Sequence, residues 1–285
     1  MNVIQTFMQS TTQSTKAELL RSLHRGPKIL VLPNAWDVAS ARTFEEAGAE
    51  AIATTSAGVA FTLGYPDGER IPREQMLAVV ARIAANVKLP VTADVESGYG
   101  NHPEDAAQTA VGVIQAGAVG LNLEDSIHEN ERALVELPLQ VEKIRAVKEA
   151  ASKLGVSLVL NARTDVYLAQ IGAPETRYDE TVGRLSAYRD AGADCLFAPG
   201  IRDGETIARL VKDLRHPLNV LVGPGSLPIP ELQKLGIARA SLGSSAMRAT
   251  LGVAKKIAVE VLSSGSYATL EDAPSHADVN RMMAA

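Results

Sequence analysis

Five charged residues fall at the ends of three consecutive apolar runs. Asp94 and Glu96 close PVTADVE, Glu124 and Asp125 close VGLNLED, and Arg163 lies in NARTD. Four carboxylates brought together from two neighbouring strands repel one another unless protons or a cation intervene. Oxygen-only donors suit a hard divalent ion. Mg²⁺ keeps few carboxylates and several waters, and Mn²⁺ is the alternative. A guanidinium beside them offers paired N–H donors for a carboxylate or an enolate oxygen. Such a set is equipped to stabilise charge next to a breaking bond. For Asp94 or Asp125 taken singly, the plainer reading is a cap on the following helix.

Absences narrow the chemistry. The ten lysines include none at a strand C-terminus, which argues against a Schiff-base aldolase. Histidines at 24, 102, 128, 216 and 276 lack metal-ligand spacing, which argues against a zinc enzyme. Cys195, the sole cysteine, lies within an apolar run and reads as core. Charges nearly balance at −5, aromatic residues are 4% of the chain, and no basic patch points to nucleic acid. No apolar run is long enough to cross a membrane, and the first fifteen residues lack a signal peptide's pattern, so the expected compartment is cytoplasmic.

These side chains need a scaffold that gathers strand ends. Eight short apolar runs recur, at 28–33, 51–56, 90–95, 119–125, 157–165, 194–199, 219–223 and 238–243. Strands covered on both faces, as in a parallel sheet, have this near-continuous apolarity. Helical periods lie between them, with Ala107, Val111 and Ile114 on one face and Val141, Ile144 and Val147 on another. Several helices stop at a glycine just before the next strand, as in EEAGAEAI and RDAGADCL. The pattern predicts a (β/α)8 TIM barrel in one domain spanning 1–285, because the open-sheet alternative needs a glycine-rich turn where PNAWDV stands. A leading segment (1–27) with a helix around Lys16–His24, an eighth helix over 244–263 and a short tail (264–285) complete the expectation. Asn161, Arg163 and Asp165 should share the inward side of their strand. GPGS (223–226) and GSSAM (243–247) read as a tight turn and a serine N-cap rather than a phosphate cradle.

The motifs LPNAWD (32–37), TTSAG (54–58) with GYPDGE (64–69), TADVESGYG (92–100), GLNLEDS (120–126) and NARTD (161–165), in this order, resemble the isocitrate lyase/phosphoenolpyruvate mutase superfamily. The likeness runs over about residues 28–262. It implies a Mg²⁺ site at Asp94, Glu96 and Glu124, partly through water, and an α-oxo acid held by backbone N–H groups near Ser56, Ala57 and Gly58. Arg163 matches the arginine that neutralises substrate charge, Glu124 stands beside it in the reacting set, and Trp36 and Asp67 match pocket positions. The resemblance also implies an eighth helix swapped between subunits of a homodimer or homotetramer.

The loop after strand 4 departs from the better-defined members. It reads SIHENERALVELP (126–138), without the cysteine of isocitrate lyases or the lysine of mutases. His128 is its only side chain with an ordinary pKa near neutrality and is the candidate acid. Decarboxylation needs no enzyme-bound nucleophile, so the expected reaction is Mg²⁺-dependent cleavage of a small α-oxo dicarboxylate such as oxaloacetate through an enolate. An oxo-acid-binding protein with little turnover and phosphonopyruvate-type P–C chemistry are the alternatives.

Overall fold

A computed structural model describes residues 3–127 and 133–284, with side chains placed from residue 13 onward. The apolar runs form nine parallel strands: β1 (Leu30–Leu32), β2 (Asn34–Ala35), β3 (Ile52–Thr54), β4 (Val91–Asp94), β5 (Gly120–Glu124), β6 (Val159–Arg163), β7 (Cys195–Phe197), β8 (Leu218–Leu221) and β9 (Arg239–Ser241). They pair in the order β1-β9-β8-β7-β6-β5-β4-β3-β2. β1 and β2 are two halves of one strand parted by Pro33, so the ladder returns to its start as an eight-stranded barrel. Asn34 holds this seam. Its Nδ2 donates to the Thr54 carbonyl at 2.8 Å, and its Oδ1 accepts from the Leu242 and Gly243 N–H groups at 2.9 Å each.

The described helices are α1 (Val3–Leu23), α2 (Val38–Glu46), α3 (Ser56–Thr62), α4 (Arg73–Asn86), α5 (Pro103–Gln115), α6 (Leu137–Lys153), α7 (Arg177–Asp190), α8 (Gly204–Leu214), α9 (Ile229–Lys234), α10 (Ser245–Ser264) and α11 (His276–Ala284). The leading helix begins at Val3, well before the expected Lys16, and lays Ala17 and Leu20 across the strand N-termini against Leu30, Leu32, Ala53 and Val159. No described helix is long and apolar enough to cross a membrane.

Period-two alternation sorts the strand residues. Ile52, Ala93, Leu121, Leu123, Ala162, Leu196, Val220 and Ala240 face outward into one core shared with the helices. Two helix faces differ from the sequence expectation. α5 buries Ala106, Thr109, Ala110, Val113 and Ile114, leaving Ala107 and Val111 only half-buried. α6 buries Gln140, Lys143, Ile144 and Val147, leaving Val141 half-buried. Ile114, Ile144 and Val147 are buried as expected, and the rest of each inner stripe is completed mostly by small or polar residues rather than by Val111 or Val141. Cys195 is fully buried as expected, and burial pushes its thiol up to about 12.

α10 is the exception to the layer. Among its described side chains only Met247 is buried, while Leu251, Val253, Val259 and Leu262 stand exposed. Val31, on the outer face of β1, is 38% exposed where its counterparts on the other strands are covered. Beyond α10 the chain turns back, and α11 rests on α2, where Arg42 and Thr43 both reach Met282.

Asp125 follows Glu124 by one residue and therefore faces the other way, out of the mouth where it was expected. It accepts from Tyr188 Oη (2.6 Å), Thr164 Oγ1 (2.7 Å) and the Asp165 N–H (2.9 Å), and pairs with Arg184 at 3.3 Å. This fully buried carboxylate ties β5 to the end of β6 and to α7. Asp125→Ala leaves those donors and a half-buried guanidinium without their acceptor, and the expected loss is about 3–5 kcal/mol of stability. Urea denaturation measures it, and an unchanged midpoint would contradict the tether.

Candidate active site

The parallel register sets the site. It pairs Asp94 with Asn122 and Asn122 with Asn161, and one layer nearer the C-terminal mouth it pairs Glu124 with Arg163. Alternation turns all five inward. Asp94 Oδ2 accepts from the Ser56 N–H (3.0 Å) and hydroxyl (2.8 Å), so the first turn of α3 is fastened to β4. Arg163 is clamped by two carboxylates. Nη1 meets Glu124 Oε2 at 2.6 Å, and Nε and Nη2 fork onto the two Asp165 oxygens at 2.5 and 2.7 Å. Phe197 lies under the guanidinium at 5.6 Å. Of its five N–H donors, these contacts engage three and leave two for a ligand. The ion pairs that fix Arg163 thus do not exhaust its donors.

Crowding shows in the ionisation of the carboxyls. Burial, then the charge of Asp67, pushes Glu96 up to about 8. Burial also holds Glu124 well above the usual range, against the pull of Arg163. Among the described residues no three His, Cys, Asp or Glu side chains converge closely enough to ligate one ion on their own. The donor set at this mouth, Asp94, Glu96 and Glu124, is oxygen only and crowded enough to raise two of the three carboxyls, a chemistry that suits a hard cation of the Mg²⁺ type held partly through water.

The segment after β4 is tightly wound. Glu96 (φ 52°), Gly98 (φ 98°) and Tyr99 (φ 59°) all occupy left-handed backbone. At Gly98 a Cβ would also press on Ala106 at 3.2 Å. Such a non-glycine conformation needs outside support. Glu69 supplies part of it, accepting from Ser97 Oγ and the Tyr99 N–H while its own N–H donates to Glu96 Oε2. Lys143 supplies the rest. Its ammonium, buried under the loop, donates to the Ser97 and Gly100 carbonyls. Gln140, one turn before it, donates to the Glu124 carbonyl at 3.1 Å.

The other expected residues are placed unequally. Ser56, Ala57 and Asp67 line the mouth with Asp94 and Arg163 in a cavity of 260 Å³, and Asp67 also borders an adjoining one of 410 Å³ with Glu96 and Glu124. The Ser56 N–H is taken by Asp94 and the Gly58 N–H by the Thr55 cap (3.3 Å), which leaves the Ala57 N–H as the available donor of the three. Trp36 packs edge-on to Phe44 at 6.3 Å and against the apolar cluster of Val59, Ala60 and Met76. It is not among the residues lining either cavity. Asp37 caps α2 through the Ser40 N–H at 2.7 Å. His128, with the loop residues 128–132, lies outside the described residues.

Three residues went unforeseen. Lys143 and Gln140 are polar positions one turn apart within a buried helix face, a pattern that flags a side chain working under a loop. Arg248, in the first turn of α10, lines the smaller cavity together with Arg163. Ser244 makes no side-chain cap there, contrary to expectation, while GPGS does form the expected turn, with the Gly223 N–H on Ser226 Oγ at 3.1 Å.

The sequence pattern of the phosphoenolpyruvate phosphomutase family matches residues 20–262. An uncharacterized protein of Mycobacterium tuberculosis is 39% identical over 78% of this chain and 80% of that one. The 2-methylisocitrate lyase of Escherichia coli is 31% identical over 72% and 70%. Oxaloacetate decarboxylase 2 of Pseudomonas fluorescens is 28% identical over 62% and 59%. Among solved structures, a lyase/mutase-like protein of Burkholderia cenocepacia superposes with a TM-score of 0.90 at 40% identity, covering 96% of this chain and 98% of that one. Oxaloacetate acetylhydrolase with its product oxalate reaches 0.85 at 28% identity, over 95% and 94%.

The raised carboxyls set a pH dependence. A carboxyl whose pKa is raised by folding holds a proton that the unfolded chain releases, so the metal-free fold loses stability as pH climbs from about 4.5 through 8. A divalent ion displaces those protons, and its affinity should rise across the same window by up to about tenfold per pH unit for each proton displaced. Thermal denaturation with chelator or with Mg²⁺ at pH 6 and pH 8.5 tests this. The Mg²⁺-dependent rise in Tm should be larger at pH 8.5, and equal rises at both would refute it.

Proposed function

The chain belongs to the phosphoenolpyruvate mutase family of the isocitrate lyase/phosphoenolpyruvate mutase superfamily, and from that premise we propose a Mg²⁺-dependent carboxy-lyase acting on a small α-oxo dicarboxylate such as oxaloacetate. The observation that carries this reading is one mouth holding three inward carboxylates of raised or shared charge beside a clamped arginine with two N–H donors left. Relatives named for oxaloacetate decarboxylation and oxaloacetate hydrolysis support the substrate class.

In this reading Asp94, Glu96 and Glu124 hold the ion. Bound there, Mg²⁺ would supply Lewis-acid stabilisation of the charge that builds beside the breaking C–C bond. Arg163 binds the oxo-acid carboxylate through its free N–H groups, and the Ala57 N–H adds a neutral donor. Arg248, which lines the same cavity, is the second cation that a four-carbon diacid's other carboxylate would meet. Asp165 and Glu124 fix the guanidinium, so no reorganisation is needed as charge develops. His128 is the candidate donor of the final proton, with water as its alternative.

A homodimer or homotetramer completes the proposal. The bare apolar side of α10 and the uncovered Val31 on β1 are what a helix exchanged between subunits would leave on a single chain. A second reading, an oxo-acid-binding protein with little turnover, draws on the loop SIHENERALVELP, which offers neither cysteine nor lysine as acid.

Incubation with oxaloacetate and Mg²⁺ should release pyruvate well above a Mg²⁺-only blank. Oxalate binding without turnover of any oxo acid would favour the binding protein, and turnover of phosphonopyruvate instead would move the reaction to a P–C bond. Arg163→Lys keeps the charge but loses the planar fork, and the expected fall in kcat/KM is about a hundredfold. A variant with full affinity and rate removes Arg163 from the reading. His128→Gln should slow turnover by about tenfold or more if this histidine delivers the proton. An unchanged rate assigns that step to water.

A further inference from the structure

The end of the barrel opposite the carboxylates carries its own pocket, of 350 Å³, between the α1–β1 connection, the α8–β8 connection and the segment after α9. Arg25, Lys28, Arg215 and His216 line it with His24, and no carboxylate does. The three permanent cations are exposed, and none makes an ion pair among the described residues. Asp194, a half-buried acid whose charge reaches both histidines, is already engaged by Arg21 at 3.0 Å and Lys148 at 2.7 Å. Helix C-termini from α1, α8 and α9 open on this face, and single cations often sit at such ends.

That preference does not account for what lies beneath them. His24 is 4% exposed, its Nδ1 donates to the Leu20 carbonyl at 2.7 Å, and its buried Nε2 meets no partner among the described residues. Behind it, within the barrel, Arg239 is fully buried, with Nη2 on Asn122 at 3.2 Å and with Nε and Nη1 unpartnered. Arg239 is close enough for its charge to act on the His24 ring. A concave wall thus combines three unpaired surface cations, a buried imidazole with one nitrogen unsatisfied, and an uncompensated guanidinium field from within. Buried polar atoms of this kind are normally satisfied by a ligand or ordered water. Orphaned charge of one sign concentrates counter-ions of the other.

We propose that this pocket binds a phosphate group, free or carried by a small metabolite, at a site distinct from the carboxylate mouth. A phosphate matches it better than a monocarboxylate. It carries more than one negative charge near neutral pH, about −1.5 to −2 for an ester, and presents several acceptor oxygens to cations spaced around an opening. Its protonated form can also donate to His24 Nε2.

The test is thermal denaturation of the full chain in chelator at pH 7, with ionic strength held constant by NaCl. Inorganic phosphate at 20 mM should raise Tm by about 2 °C, as expected for a millimolar ligand of a protein this size. Substituting Arg25→Ser, Lys28→Ser and Arg215→Gly together should abolish the rise. Arg215 lies at φ 48°, where glycine is at ease, so that change does not burden the fold. Arg163→Met, at the other end of the barrel, should keep the rise. Lys28→Glu alone, read by phosphorus NMR line broadening, gives a second measure and should weaken binding at least about tenfold. A larger rise with glycerol 3-phosphate than with inorganic phosphate identifies a phosphorylated metabolite as the ligand type, and equal rises identify free phosphate. The proposal is overturned by no rise, by a rise that chloride alone reproduces, by one that survives the triple substitution, or by one lost in Arg163→Met.

Discussion

Crowding negative charge into one end of a barrel is the constraint on which the surrounding structure depends. Asp94, Glu96 and Glu124 are each at most 8% exposed, and such groups cannot all ionise unaided in a medium that solvates them poorly. The structure answers in several ways at once. Arg163 lies against Glu124, the Ser56 hydroxyl and N–H both reach Asp94, and the Glu69 N–H reaches Glu96. What these contacts leave unbalanced appears as a raised hold on protons at Glu96 and Glu124, caused first by their burial. Negative charge at this mouth is therefore held in check partly by hydrogen bonds and one ion pair, and partly by a reluctance to ionise.

The same demand reaches well past the residues that touch the mouth. A loop running through three left-handed residues is costly, and a lysine taken out of water to hold it is costly too. The two are combined so that each partly offsets the other. Lys143 gains two carbonyl acceptors, and the loop gains a fixed shape that aims Glu96 inward. Gln140 does the same for β5 through the Glu124 carbonyl. One helix on the outside of the barrel therefore steadies two of the three inward carboxylates without entering the site.

The strands were legible in the sequence because a parallel strand covered on both faces must be apolar almost throughout, and only eight segments meet that condition. Arg163 was legible for the converse reason, as a charge placed inside such a run. Asp125 was misread as part of the mouth because LED presents two acids side by side. The alternation that places Asn161 and Arg163 on one side applies equally to β5, and it sends Asp125 toward Tyr188 and Arg184. Lys143 left only the trace of a polar residue inside a buried helix face, because the partner that explains it is a loop from another unit of the chain. Trp36 was assigned through likeness of motif, and its surroundings are set by the packing of α3 and Phe44, which no local pattern reveals.

Pro33 has a consequence for how the ring closes. A proline has no N–H to give to a ladder, so the first strand divides, one half belonging to β9 and the other to β3. Across that division the barrel is joined at its upper rim by the amide of Asn34, which grips β3 with one hand and the end of β9 with the other. The β1–β9 ladder runs over three residue pairs and the β2–β3 ladder over two. This joint resembles a clasp on a bracelet. The two halves of one strand answer to different neighbours, and a single side chain ties both to the same circumference.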